Sequence, residues 1–177
     1  PDSELSKLCN NAHPGQEFSI SPELSNVFAR SLELSRDSEG AFDITVGPFV
    51  KMWRRARRKK VMPTKEMIQE AAEKTGYQLI QLNQKENKVR LLKEGMQIDL
   101  GGIAKGYACD EALKICKNKG IQSVLIDAGG DIVVGDAPPG KSGWTIGIAS
   151  LSKPDVETEN FLILKNCSVA TSGDAYQ

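Results

Sequence analysis

Asp99, Gly101, Gly102 and Lys105 stand close together in the run IDLGGIAKGYACD (98–110). A carboxylate, paired glycines and an ammonium group at this spacing could hold a phosphate. The extended stretch Met96 to Leu100 meets the two glycines, and a helical pattern starts at once: Ile103, Ala104, Tyr107, Ala108, Ala112, Leu113, Ile115 and Cys116 recur at helical spacing. Gly120 sits where a helix stop is expected. A glycine turn at a helix start offers free N–H groups, close backbone approach and the positive end of the macrodipole. Lys105 falls in the first turn of that helix, on the side of chemistry that suits an anion. The run is not a Walker loop and lacks the GxGxxG spacing, so by itself it does not specify the ligand.

Other chemistry-bearing residues are sparser. In SEGAFDITVGPFVKMW (38–53), Phe42 to Val46 reads as a short extended segment opened by Gly40 and broken by Gly47-Pro48. Asp43 within it reads either as a surface carboxylate of an alternating strand or as a ligand acceptor at a glycine-opened edge. His13, the single histidine, lies in a polar turn, His13-Pro14-Gly15, and reads as surface. Cys9, Cys109, Cys116 and Cys167 show no CxxC and no metal-finger spacing. Cys109 and Cys116 fall near one helix face and read as packed thiols, with disulfides left open. Arg54 to Lys60, RRARRKK, is the dense basic run and reads as a solvated helix end or loop. Nucleic acid is not its expected partner: Lys+Arg and Asp+Glu both number 23, and no aromatics interleave the run.

The elements that must position these residues follow from pattern. The chain has 177 residues and 40% hydrophobic content, enough for one domain with a substantial core. No apolar run approaches the roughly 20 residues needed to cross a bilayer. Helices are expected over residues 2 to 9, after Ser21-Pro22-Glu23 with Leu24, Val27, Phe28, Ser31 and Leu32 inward, and after Pro63-Thr64 with Met67, Ile68, Ala71 and Ala72 on one side. After Gly76 the period changes to two: Tyr77 to Leu82 and Lys88 to Leu92 form a hairpin about Gln84-Lys85-Glu86-Asn87. Ser123 to Asp127 reads as a buried strand that Ile132 to Val134 continue past Ala128-Gly129-Gly130-Asp131. Trp144 to Ala149, Asn160 to Leu164 and a strand-to-turn step at Val169 to Gly173 complete the pattern. The expected class is α+β, with helices covering a largely antiparallel or mixed sheet in a single domain, 1–177.

Three stretches together carry a resemblance. EGAFDITVGP (39–48), IDLGGIAKGYACD (98–110) with DAGGDI (127–132), and VATSGD (169–174) occur in order. With the PDSELSKLC opening, the chain resembles the FAD:protein FMN transferases, the ApbE family, over nearly its whole length. The resemblance implies an α+β, T-fold-related domain. It also implies magnesium-dependent transfer of FMN from FAD to a threonine or serine hydroxyl of an acceptor protein, with AMP released. Breaking the FAD pyrophosphate develops charge on phosphate oxygens, which magnesium and fixed dipoles stabilise. Carried over by position, Asp99 and Lys105 resemble FAD contacts, and Gly102 the residue whose carbonyl coordinates Mg2+. Ala41, Phe42 and Asp43 resemble the segment that receives the adenine end of FAD. Gly129, Gly130 and Asp131 resemble a strand end near the site, and Thr171 and Ser172 its wall. Ala170 to Gly173 superficially echoes an acceptor's flavinylation sequence, but its position matches the transferase signature.

The resemblance further implies an acceptor that is a flavoprotein subunit of a redox complex. It implies an extracytoplasmic location, periplasmic or membrane-anchored through a leader not in this sequence. It places a histidine motif and further magnesium ligands beyond Gln177, and a flavin-contacting strand before Pro1. The chain alone is therefore expected not to be competent, and His13 does not stand in for the missing histidine. Alternatives to transfer are FAD hydrolysis to FMN and AMP, and noncatalytic FAD binding. Where many family members carry a Gly/Phe-containing loop, this chain has its Arg-rich tract.

Overall fold

The computed structural model describes residues 2–148 and 160–171. Its elements make an α+β architecture in which every strand pair among the described residues is antiparallel. The contacts divide the chain into two compact units, Pro1–Ile103 and Ala104–Gln177.

The first unit is built from four α-helices and a three-stranded sheet. Helix α1, Glu4–Asn11, starts at Ser3, whose hydroxyl accepts from the Ser6 N–H. Strand β1, Phe18–Ser19, leads to α2, Pro22–Asp37, where Ser21 caps and Pro22 occupies the first turn as expected. The Glu4 carboxylate accepts from both the N–H and the hydroxyl of Ser21, so the starts of α1 and α2 are tied together. Helix α2 buries Val27, Phe28 and Leu32 together with Ser25, Ser31 and Ser35. Ser31 and Ser35 satisfy their hydroxyls by donating to the carbonyls of Val27 and Ser31, one turn back, at 2.7 and 2.9 Å.

Helix α3, Gly47–Lys59, and α4, Lys65–Glu73, follow, the latter capped by Thr64. The expected hairpin forms with trimmed ends: β2 is Ile80–Asn83 and β3 is Lys88–Leu91, while Tyr77–Leu79 is a 3-10 turn. Strand β3 is central, in the order β1-β3-β2. Phe28, Val89, Leu91, Ile44, Met96 and Ile98 lie in one buried cluster. That cluster includes Ile44 and Ile98, the sequence neighbours of Asp43 and Asp99. Of the face expected for α4 only Ala71 is buried; Met67 and Ile68 are 38% and 39% exposed.

The extended segment expected at Phe42 to Val46 is not a strand. Ile44–Val46 is a 3-10 turn, and Gly47-Pro48 starts α3 instead of breaking a strand. The cause is local: Asp43 accepts from the Thr45 N–H at 2.7 Å, and a short polar side chain that bonds its own backbone competes with sheet pairing. Pro48 then supplies a helix-ready φ in the first turn of α3.

The second unit contains α5, Ala104–Asn118, with β4, Leu125–Asp127, β5, Asp131–Val134, and β8, Cys167–Ala170, in one sheet, and β6, Trp144–Gly147, paired with β7, Phe161–Leu164. Ile132 to Val134 do not continue β4. They fold back on it, with Leu125 opposite Val134, because Gly129 and Gly130 take φ of +72° and +95° between the two strands. Strand β4 is also only half-buried rather than fully buried. Helix α5 buries Cys109, whereas Ala104, Ala108 and Ile115, which recur at the helical spacing, are exposed. All four cysteines are free thiols. Ala149 and residues 172–174 of the motif VATSGD, with Ser172 among them, lie outside the described residues.

Candidate functional site

In the first unit, two sequence-distant motifs meet at their backbones. The N–H of Asp99 donates to the carbonyl of Ile44 at 2.7 Å. A Cβ placed on Gly47 would lie 2.4 Å from the Gln97 carbonyl oxygen, and one on Gly102 would lie 3.1 Å from Phe42 Cε2. The AFDITVGP and IDLGG stretches therefore lie against each other, with no space for a Cβ at Gly47 and a tight contact at Gly102 that the Phe42 ring would have to relieve. This places Phe42, Asp99 and Gly102 in one neighbourhood, with Phe42 and Asp99 half-buried and Gly102 exposed.

Asp99 Oδ1 accepts from the Gly101 N–H at 2.8 Å, an Asx-type turn that bends the chain into the glycines. The Ile103 N–H donates to the Leu100 carbonyl at 3.0 Å and closes the turn that precedes α5. Asp99 thus shapes the turn with one oxygen. Ala41 is exposed, and Phe42 is held through its N–H, which donates to Ser38 Oγ at 3.0 Å.

Asp43 has a structural task in this unit. Oδ1 accepts from both the N–H and the hydroxyl of Thr45 at 2.7 Å each, and Oδ2 accepts from the Tyr77 N–H at 2.8 Å. Fully buried Thr45 in turn accepts from the Gly76 N–H at 2.7 Å. The carboxylate that interrupts an otherwise apolar stretch joins the 3-10 turn to residues 76 and 77. Composition of the stretch shows an out-of-place acid; only the fold shows that its partners lie beyond α4.

In the second unit, Lys105 Nζ pairs with Asp131 Oδ2 at 3.1 Å. The turn before Asp131 is held by Asp127 Oδ1, which accepts from the Gly130 N–H at 3.0 Å, and by the Ala128 N–H donating to the Asp131 carbonyl at 2.9 Å. The Thr171 N–H donates to the Gly130 carbonyl at 3.0 Å. Lys105, Gly130, Asp131 and Thr171 are therefore neighbours, although they come from three separate motifs. The Lys105–Asp131 pairing was not read from the sequence; its signal is the opposite charge that follows the paired glycines in each of two motifs.

His13 is exposed in its turn, as its polar setting suggests. The described residues do not complete a magnesium site. Among the described residues no group of three or more His, Cys, Asp or Glu is placed to hold a metal ion. Gly102 can offer only its carbonyl, and one Asp99 oxygen is already used by Gly101. Magnesium requires a near-octahedral set of oxygen ligands. Among the described residues no helix is long and apolar enough to cross a membrane.

Comparison with known proteins adds independent findings. A family model described as the ApbE family matches residues 1–177. The FAD:protein FMN transferase of Chlamydia muridarum is 30% identical over 177 residues, covering 100% of this chain and 53% of that protein. The crystal structure of the ApbE protein of Thermotoga maritima superposes with a TM-score of 0.84 at 32% identity, over 97% of this chain and 55% of that one. The flavin transferase ApbE from Vibrio cholerae gives 0.87 at 28% identity, over 99% of this chain and 57% of that one. The chain thus spans about half the length of the relatives it matches.

Proposed function

The chain belongs to the ApbE family, and from that premise we propose that it carries part of the FAD site of an enzyme that transfers FMN from FAD to an acceptor protein. In this reading the oxygen of a threonine or serine hydroxyl attacks the FMN phosphorus. The pyrophosphate P–O bond to the adenylate side breaks, AMP leaves with the bridging oxygen, and the hydroxyl proton passes to a base. The roles assigned to this chain are binding and orientation. Lys105 offers positive charge to a phosphate oxygen. The paired glycines Gly101 and Gly102 allow close approach of a phosphate to the backbone. Asp99 holds the glycine turn, while Ala41, Phe42 and Asp43 belong to the segment that receives adenine.

The observation that carries the reading is the packing of AFDITVGP against IDLGG, with Phe42 over Gly102 and Ile44 bonded to Asp99. The motifs that resemble the family's FAD contacts are separated in sequence and adjacent in the fold. The relatives' name supports a protein as recipient of FMN. On family grounds we also propose that the acceptor is a flavoprotein subunit of a redox complex, that the location is extracytoplasmic, and that Mg2+ is required. Gly102 would give its carbonyl to that ion, whose coordination the described residues do not complete.

The test uses the full-length protein containing this chain, with FAD, Mg2+ and a co-expressed redox-complex subunit. Intact-mass spectrometry of the subunit and chromatography of released nucleotide are read together. An FMN adduct with stoichiometric AMP supports transfer, and its loss with a chelator supports the magnesium requirement. Free FMN and AMP without an adduct would replace transfer by hydrolysis. FAD recovered intact would replace it by noncatalytic binding.

A further inference from the structure

The basic tract that the FAD reading does not use forms one wall of a groove. Lys51, Arg54, Arg55 and Arg58 of α3 line a depression of about 1070 Å3, which Met67 and Ala71 of α4 border from the other side. Met52 also lines the depression and is itself buried in the unit. The four cations are exposed, and none of them enters an ion pair among the described residues. Lys74, which also borders the groove, is already paired with Glu70 at 2.6 Å.

This arrangement selects an occupant. Exposed arginines on one helix could serve solubility alone, but here four cations, unpaired among the described residues, line a concave strip that includes the exposed Met67, whose flexible side chain adapts to varied apolar partners. Arginine forks bind carboxylates with two parallel bonds. A flat anionic membrane would not fill a concave groove, and nucleic acid would call for a wider basic field than a chain with equal numbers of acidic and basic residues provides. The groove also ends at Gln97, Ile98 and Asp99, the segment that leads into the glycine turn.

We propose that the α3–α4 groove docks an acidic segment of a partner polypeptide, glutamates or aspartates on the α3 arginines and apolar side chains against the exposed Met67. Identification of that partner as the flavin acceptor rests on the transfer reading above. Docking there would bring the acceptor to the edge of the Asp99 turn. Its charge-based component would raise the rate of encounter more than it prolongs the complex.

The experiment uses the full-length protein and a fluorescein-labelled peptide of alternating glutamate and leucine, followed by anisotropy. Binding is expected, weakening as salt is raised. It should fall by about tenfold or more in R54E/R55E/R58E and in the gentler R54Q/R55Q/R58Q. Glutamate near a helix C-terminus opposes the macrodipole, so the glutamine variant, with an unchanged melting temperature, separates lost docking from lost folding. FAD binding, measured by flavin fluorescence, should be unchanged in both. Absence of peptide binding, or equal binding by the glutamine variant, would overturn the proposal. So would displacement of the peptide by FAD, or tighter capture of phosphatidylglycerol vesicles or single-stranded DNA through the same arginines. Peptide capture is read without flavin turnover, so failure of transfer and failure of docking are separate results.

Discussion

Asp43 Oδ2 accepts the backbone N–H of Tyr77, 34 residues along the chain, at 2.8 Å. The other oxygen of the same carboxylate holds Thr45, and Thr45 holds Gly76. One acidic side chain thereby connects the 3-10 turn before α3 to the turn before β2, across the whole of α3 and α4. Because Ile44 in that turn also receives Asp99 through its carbonyl, the geometry of the candidate FAD segment depends on this clamp.

Replacing Asp43 by alanine is therefore expected to lower stability first and FAD affinity as a consequence. The Thr45 and Tyr77 donors would lose their acceptors in a half-buried setting, at about 1–3 kcal/mol for each group left unsatisfied. Asparagine should rescue little. Turned either way, its amide presents an NH2 to one of two sites that supply N–H donors. Urea unfolding of both variants checks this; a stable Asp43→Asn protein that has lost only FAD binding would instead show that the carboxylate acts on the ligand.

Gly47 and Gly106 should respond in opposite directions to alanine. At Gly47 a Cβ would lie 2.4 Å from the Gln97 carbonyl oxygen, where backbone must move. An overpacking loss of about 1–3 kcal/mol is expected. Gly106, inside α5, has nothing within 4 Å of the same added atom. Alanine there should raise stability by about 0.5–1 kcal/mol through a less flexible unfolded chain. Thermal or urea unfolding of the two variants side by side reads both signs.

The contrast shows where sequence reasoning reached and where it stopped. Caps and periods are local, so Ser21-Pro22, Thr64 and the 80–91 hairpin were legible. Phe42 to Val46 was misread because its apolar residues look like a strand, while an Asp-to-Thr side-chain bond bends it into a turn. The fold-back at Gly129-Gly130 was hidden by the strand-like residues on both sides, which fit one continuous strand or a hairpin equally until the sign of φ is known. The proximity of Phe42 to Gly102 is a long-range relation that no local period encodes. Motif order pointed to it only through the family resemblance.

Cys9 gives a pH prediction. Burial pushes its thiol above the ordinary value of 9.0, with the Ile98 N–H donating to the sulfur as a smaller opposing effect. The folded state therefore disfavours the thiolate relative to the unfolded state. The contribution to stability is complete below pH 9.0 and is lost as pH rises from there through the folded value. The difference in urea midpoint between the native protein and Cys9→Ala should be constant at neutral pH and shift against the native protein above that point. A difference that stays constant to high pH would show that the thiol titrates alike in both states.

Lys105 and Asp131 supply the most direct test of the phosphate role. Their pairing at 3.1 Å is half-exposed on the lysine side, where an ion pair contributes only ~0–1 kcal/mol. An incoming phosphate can therefore compete for the ammonium group at small cost. In the full-length protein, Lys105→Ala should weaken FAD binding, whereas Asp131→Asn should leave it unchanged or strengthen it by up to about fivefold, the equivalent of the pair it removes. The backbone carbonyl of Asp131, which receives Ala128, is untouched by the second change, so the turn persists. Flavin fluorescence titrations at two salt concentrations provide the measurement. If Asp131→Asn weakens FAD as much as Lys105→Ala does, the two act as a structural pair and the lysine is not the phosphate ligand.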